Sequence, residues 1–141
     1  MAAALGVSAA VGLLSTEIER FSVYPGLEGR EQAHAPGHTF ALGVTYRDDA
    51  GWYGRLDLVG ADAFLFDYSH DQRSDSYAIA NLRLGRDWGP WTAELWVRNL
   101  LDEEYAVRGF YFGNEPPDFA DTLYKRLGDP RHAGVTLKHR F

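Results

Sequence analysis

Cysteine is absent from this 141-residue chain, which removes disulfide staples, thiolate nucleophiles and Cys-ligated zinc. The compartment stays open, because oxidising compartments also hold cysteine-free proteins. Long apolar runs are lacking as well: no stretch approaches the roughly 18 residues of a membrane-spanning helix, and this excludes an α-helical membrane protein. Basic clusters are scarce, with no run of cations longer than the pair Lys125 and Arg126, and the net charge is −6. That combination leaves no footprint for nucleic acid. Gly-rich phosphate loops, Ser-His-Asp ordering and zinc-protease motifs are also missing, so the chain is not expected to be an enzyme and no cofactor is expected.

What is present is a period of two. The composition, 45% hydrophobic and 14% aromatic, suits one domain with a real core. In the opening segment Leu5, Val7, Ala9, Val11 and Leu13 share one parity, and Gly6, Ser8, Ala10 and Gly12 the other. A secretory leader is the competing reading of "MAAALGVSAAVGLLSTE", but no basic residue precedes the apolar stretch and the first charge is Glu17. The alternation returns in "TFALGVTYR", "WYGRLDLVG", "AIANLRLG", "WTAELWVRN" and the closing "AGVTLKHRF". Strict alternation over such lengths is the mark of a half-buried strand. We therefore expect about six strands and no helix.

The connections alternate in length. "DDAG" and "RDWGP" carry the Gly, Pro and Asp chemistry of tight turns. The others, about residues 18 to 37, 63 to 75 and 101 to 131, are long and rich in Gly, Pro, acids and aromatics. Short turns at one end and long loops at the other define an all-β, antiparallel up-and-down meander with two unlike rims.

One face of these strands is apolar. The other mixes Arg47, Arg55, Asp57, Asn81, Arg83, Glu94, Arg98, Lys138 and Arg140 with small residues. Tyr46, Trp52, Trp91 and Phe141 all fall on the apolar parity at the short-turn rim, with Trp88 in a turn beside them. Amphipathic rings gathered at one height match the girdle of an outer-membrane barrel whose apolar face touches lipid. Nine residues, as in 39 to 47 or 133 to 141, suffice to cross a bilayer as a tilted strand. The expected fold is therefore a segment of a transmembrane β-barrel. His139 fits this parity poorly, though near the rim a polar group costs little. The alternative is a soluble antiparallel meander that binds a small apolar ligand on its apolar face. A small complete barrel would need association, since six strands fall below the eight of the smallest single-chain barrels.

The stretch "VRNLLDEEYAVRGF", followed by a long loop and "LGDPRHAGVTLKHRF", resembles the closing hairpin of TonB-dependent outer-membrane receptors. The matching positions are Asn99, Leu100, Asp102, Tyr105, Pro130, Arg131, Gly134 and Phe141. "GREQAHAPGHTFALGVTYR" is similar to a Pro-containing loop that enters another strand of that family's barrel. The family's barrels have about 22 strands around a plug. The resemblance therefore implies that residues 1 to 141 are a C-terminal portion of such a barrel, without the plug domain, either a gene fragment or a truncated reading frame starting at an internal methionine. It further implies a bacterial outer-membrane location and contact with outer-membrane lipid. In the whole protein it implies TonB as partner and a scarce ligand of the ferric-siderophore type. Val135, Leu137 and Phe141 would form the assembly signal read by the barrel-assembly machinery.

Ligand contact, on this resemblance, falls on the long-loop rim. "FLFDYSHDQRSDSY" and "RGFYFGNEPPDFADTLYKR" mix aromatics with Arg, His and Asp, suited to stacking on a metal chelate with charge pairing. Phe66, Tyr68, His70, Arg108, Tyr111 and Phe112 are the candidates, set against the simpler role of packing the loops together. His34 and His38 are four apart, but Pro36 and Gly37 between them break the helix that a metal pair needs, so no metal site is expected. Asp102, Glu103 and Glu104 point alternately on an extended segment and read as solvated loop acids.

Overall fold

The computed structural model describes residues 3–141. Met1, on which the expectation of an internal start rests, lies outside the described residues. The strands are β1 (Ala4–Leu13), β2 (His38–Arg47), β3 (Trp52–Ala61), β4 (Tyr77–Trp88), β5 (Trp91–Arg98), β6 (Ala106–Phe112), β7 (Thr122–Leu127) and β8 (His132–His139). Six of them form one antiparallel sheet in the order β1-β2-β3-β4-β5-β8, and β6 pairs with β7 in a separate ribbon. The six expected strands are all there. The β6–β7 ribbon is a correction: it lies inside the connection read from sequence as loop 101 to 131. The last strand also ends at His139 rather than Phe141, although Arg140 N–H still donates to Pro90 O at 2.9 Å. Among the described residues, the one helical turn is a 3₁₀ turn at Pro25–Leu27, and no helix is long and apolar enough to cross a membrane.

Register turns the alternation into two chemically distinct faces. Val7, Val44, Leu56, Leu82, Val97 and Ala133 are successive cross-strand partners in one row that spans the sheet. The adjoining row reads Gly6, Thr45, Arg55, Arg83, Trp96 and Gly134. A slip of one residue anywhere would exchange the faces. On the polar face Arg55 clamps Asp57 with a contact of 2.6 Å, and Tyr53 Oη donates to Glu94 at 3.0 Å.

The apolar face is the open one. Val7 and Val135 are each 74% exposed, and Leu5, Leu42, Leu56, Leu84, Leu95 and Leu137 are exposed beside them. The buried apolar cluster lies elsewhere, in Phe64, Leu65 and Phe66 of the β3–β4 connection, with Ala61, Ile79 and Ala80 at the adjoining strand ends. A sheet that keeps its greasy face outward and builds its core at one rim inverts the arrangement of a soluble meander.

At the other rim the strands are joined by two short turns. Asp48 accepts the Trp52 N–H on its side chain at 2.8 Å, and Gly51 supplies a φ of 87° that closes the turn. Gly89 does the same with φ 55° between Trp88 and Trp91, which face each other as the first pair of β4 and β5.

Candidate functional site

The three long connections, residues 14–37, 62–76 and 99–131, gather at the opposite rim. Each is tied to the next by named contacts. The middle connection folds back on itself: Ser74 N–H donates to Phe64 O at 2.9 Å, Phe64 N–H to Ser74 Oγ at 3.1 Å, and Phe66 N–H to Gln72 O at 3.1 Å. Phe66, 1% exposed, lies beneath Gly109 of β6, where any larger side chain would run into the ring. Burying that ring is worth about 2 kcal/mol. The Lys125 ammonium sits 5.3 Å from the same ring.

The first connection is pinned to both others. Its His34 N–H donates to Leu65 O at 2.9 Å, and the His34 imidazole Nε2 lies 2.9 Å from Gly109 O. Arg30 reaches His70 O at 2.9 Å and the Asp71 carboxylate at 2.8 Å, while Arg73 meets Glu31 at 2.7 Å. These exposed ion pairs contribute at most about 1 kcal/mol each. His70 stacks on Tyr111 with centroids 3.5 Å apart and planes 8° from parallel, and Tyr111 Oη donates to Gln72 at 2.6 Å.

Asp67 organises the tip of the middle connection. Burial by itself would push its carboxyl up, but the Ser69 hydroxyl and backbone N–H, together with His70, hold it below the ordinary carboxylate range. The Ser69 N–H donates to it at 2.6 Å.

The six candidate residues thus divide. Phe66, His70 and Tyr111 join one packed cluster, and Phe66 offers no surface to a ligand. Tyr68 stands apart: it is edge-on to Phe21 at 5.9 Å and lines an open cavity of about 660 Å³ with Val23, Tyr24, Pro25 and Leu27. Arg108 is the cross-strand partner of Arg126 and flanks a depression of about 400 Å³ beside Phe110. Phe112 is exposed at the end of β6. Sequence reasoning missed Tyr24, Phe110 and Arg126. Tyr24 lies in the connection of about residues 18 to 37, where Pro25 and Gly26 are turn residues that carry no signal of a cavity wall. The two histidines go to separate partners, His34 to Gly109 and His38 to Asp62 at 3.4 Å.

The Asn99 to Tyr105 stretch is a clamp. Asn99 takes a left-handed φ of 48° and is 2% exposed; its amide donates to Glu103 O at 2.8 Å and to Asp129 O at 3.1 Å, and its Oδ1 accepts the Glu103 N–H at 2.9 Å. Asp102 accepts the Arg131 N–H at 2.8 Å. Tyr105 packs on Tyr77, with centroids 4.6 Å apart, and against Gly128. These contacts fasten the end of β5 to the start of β8.

No family model matches the chain. Solved structures that share its fold include two receptors. The siderophore receptor PiuA from Acinetobacter baumannii aligns over 94% of this chain and 19% of its own, with a TM-score of 0.76 and 17% identity. The ferric yersiniabactin uptake receptor FyuA from Yersinia pestis aligns over 82% of this chain and 18% of its own, at TM-score 0.69 and 19% identity. The all-β, antiparallel six-stranded sheet of this chain matches a stretch of each of these two structures. The chain spans about a fifth of the length of either receptor, and both are receptors by name rather than enzymes.

Proposed function

We propose that the chain forms part of the wall and three outer loops of a TonB-dependent receptor in a bacterial outer membrane, serving uptake of a ferric-siderophore-type ligand. The observation that carries this reading is the inverted sheet: an unbroken apolar row faces outward across all six strands, while the buried cluster lies at the long-loop rim. Lipid is the solvent that makes such a face stable. The likeness to two siderophore-linked receptors supports the ligand class.

On this reading residues 1 to 141 belong to the C-terminal part of the barrel, and the plug is supplied by other sequence. TonB and the ligand are partners of the whole receptor. Val135, Leu137 and Phe141 serve assembly, and Tyr46, Trp52, Trp91 and Phe141 anchor the short-turn rim in the interface. Tyr68, Arg108 and Phe112 offer exposed stacking and charge to a chelate, with His70 and Tyr111 positioning the loops behind them. The chain's role is binding and transport, with no chemical step.

Membrane fractionation tests the location: the chain should sediment with outer membranes and need detergent for release. Recovery as a soluble β-rich monomer in plain buffer would sink the reading. For the loops, Tyr68→Ala and Arg108→Ala should weaken ferric-siderophore binding to cells without lowering the amount of folded barrel.

A further inference from the structure

A charge sits where the apolar pattern calls for a greasy residue. Arg86 lies on the outward parity of β4, as the cross-strand partner of Trp52 on one side and Ala93 on the other. Its guanidinium carbon is 5.0 Å from the Trp52 ring centroid, so the cation lies against the indole face. Among the described residues it takes part in none of the ion pairs. Beside it opens a cleft of about 600 Å³, lined by Trp52, Leu84, Trp88, Ala93, Leu95 and Val135, with Glu94 also at its edge but on the opposite parity of β5, where its carboxylate accepts from Tyr53 Oη. Small Ala93 makes the floor, and the indoles make the walls.

We propose that this cleft holds one anionic phospholipid, with its phosphate on Arg86 and the first part of an acyl chain between Trp52, Trp88 and Val135. The inference rests on the membrane reading above. Three features favour a lipid over a free anion. The walls are almost wholly apolar, which a hydrated anion does not use. The cation is stacked and lacks a carboxylate, so its N–H donors remain for a phosphate, which an arginine fork matches well. Arg86 also lies two residues before Trp88, about 7 Å along the strand from the turn, at the depth where headgroup phosphates meet the aromatic belt. Short turns mark the inner leaflet side of an outer-membrane barrel.

The test uses the chain extracted from outer membranes in neutral detergent, with phosphatidylglycerol carrying brominated acyl chains as a quencher of tryptophan fluorescence. Wild type should be quenched at roughly tenfold lower concentrations of brominated phosphatidylglycerol than of brominated phosphatidylcholine, the effect of one charge-assisted hydrogen bond. Arg86→Gln should abolish that preference. Lys138→Gln, which removes the same charge from the polar face, should keep it. Ala93→Leu fills the cleft with the charge intact and should weaken both lipids, so the outcome does not hang on one variant folding. Equal quenching of wild type by the two lipids would overturn the inference. A preference that survives Arg86→Gln, or displacement of the lipid by inorganic phosphate alone, would do the same. A chain that stays soluble without detergent would remove the membrane reading itself, whereas a detergent-requiring chain indifferent to headgroup charge removes only the lipid site.

Discussion

The side-chain amide of Asn99 donates to the backbone carbonyl of Asp129, thirty residues further along the chain, at 3.1 Å. One buried side chain thereby closes the whole β5–β8 connection, ribbon included.

Asn99→Ala removes that bond together with both hydrogen bonds to Glu103, and places alanine at a φ of 48°. Lost buried hydrogen bonds and left-handed strain together should cost about 3 kcal/mol. Urea unfolding in detergent micelles, followed by tryptophan fluorescence, reads this directly. A loss below about 1 kcal/mol would show that the Asn99 bonds do not hold the connection closed.

Asp102 and Arg131 separate a backbone contact from a surface ion pair. Asp102 accepts the Arg131 N–H at 2.8 Å, whereas the guanidinium stands 3.5 Å off with both side chains about half exposed. Arg131→Ala should therefore cost under about 1 kcal/mol, and Asp102→Ala clearly more in the same unfolding assay.

Gly109→Val should destabilise by about 1–3 kcal/mol, because the new side chain enters the space of the Phe66 ring. Gly26→Ala, with open space around it, should stay within about 0.5 kcal/mol of wild type. Loop protection against protease should fall in the first variant and not in the second.

Acid should loosen the middle connection first. The Asp67 carboxyl is held below its ordinary value in the folded chain, so its contribution is fully present above the unfolded carboxylate pKa of about 4 and lost as pH falls through the depressed folded value. Limited proteolysis with an acid-active protease should show cleavage around Ser69 rising below that range, and Asp67→Asn should show it already at neutral pH. An Asp67→Asn chain cut no faster than wild type would contradict this.

Phe141 is fully exposed beyond the end of β8, its ring edge-to-face with His139 at a centroid separation of 4.8 Å. Its deletion should change unfolding in micelles by under about 0.5 kcal/mol while lowering the amount of chain assembled in the outer membrane several-fold. Equal assembly of the two forms would leave Phe141 as an interfacial residue alone.

The sheet was legible because its strands place an apolar residue on the outward face at every second position, and pairing then only has to respect that parity. The β6–β7 ribbon was not. Once β6 and β7 pair, both faces carry aromatics and cations, Gly109, Tyr111 and Lys125 against Arg108, Phe110, Phe112 and Arg126, so no greasy side stands out. The same ambiguity hid Phe66. An aromatic in a polar loop reads alike whether it waits for a ligand or plugs a neighbour, and only the glycine that passes over it, forty-three residues later, decides. The clamp residues Asn99, Asp102 and Tyr105 were picked out by resemblance; their bonds to Asp129, Arg131 and Gly128 supply the physical reason for that spacing.

The contacts of His70 with Tyr111, Arg30 with His70, and Gly109 with Phe66 join all three connections into one interlocked body. Substitutions within it should consequently not add: His70→Ala made in a Tyr111→Ala background would cost less than alone. A substitution in one connection is therefore felt in the other two. The rim behaves mechanically as one body, so a change in one loop calls for a matching change in its neighbour, while the sheet beneath it only has to keep its parity.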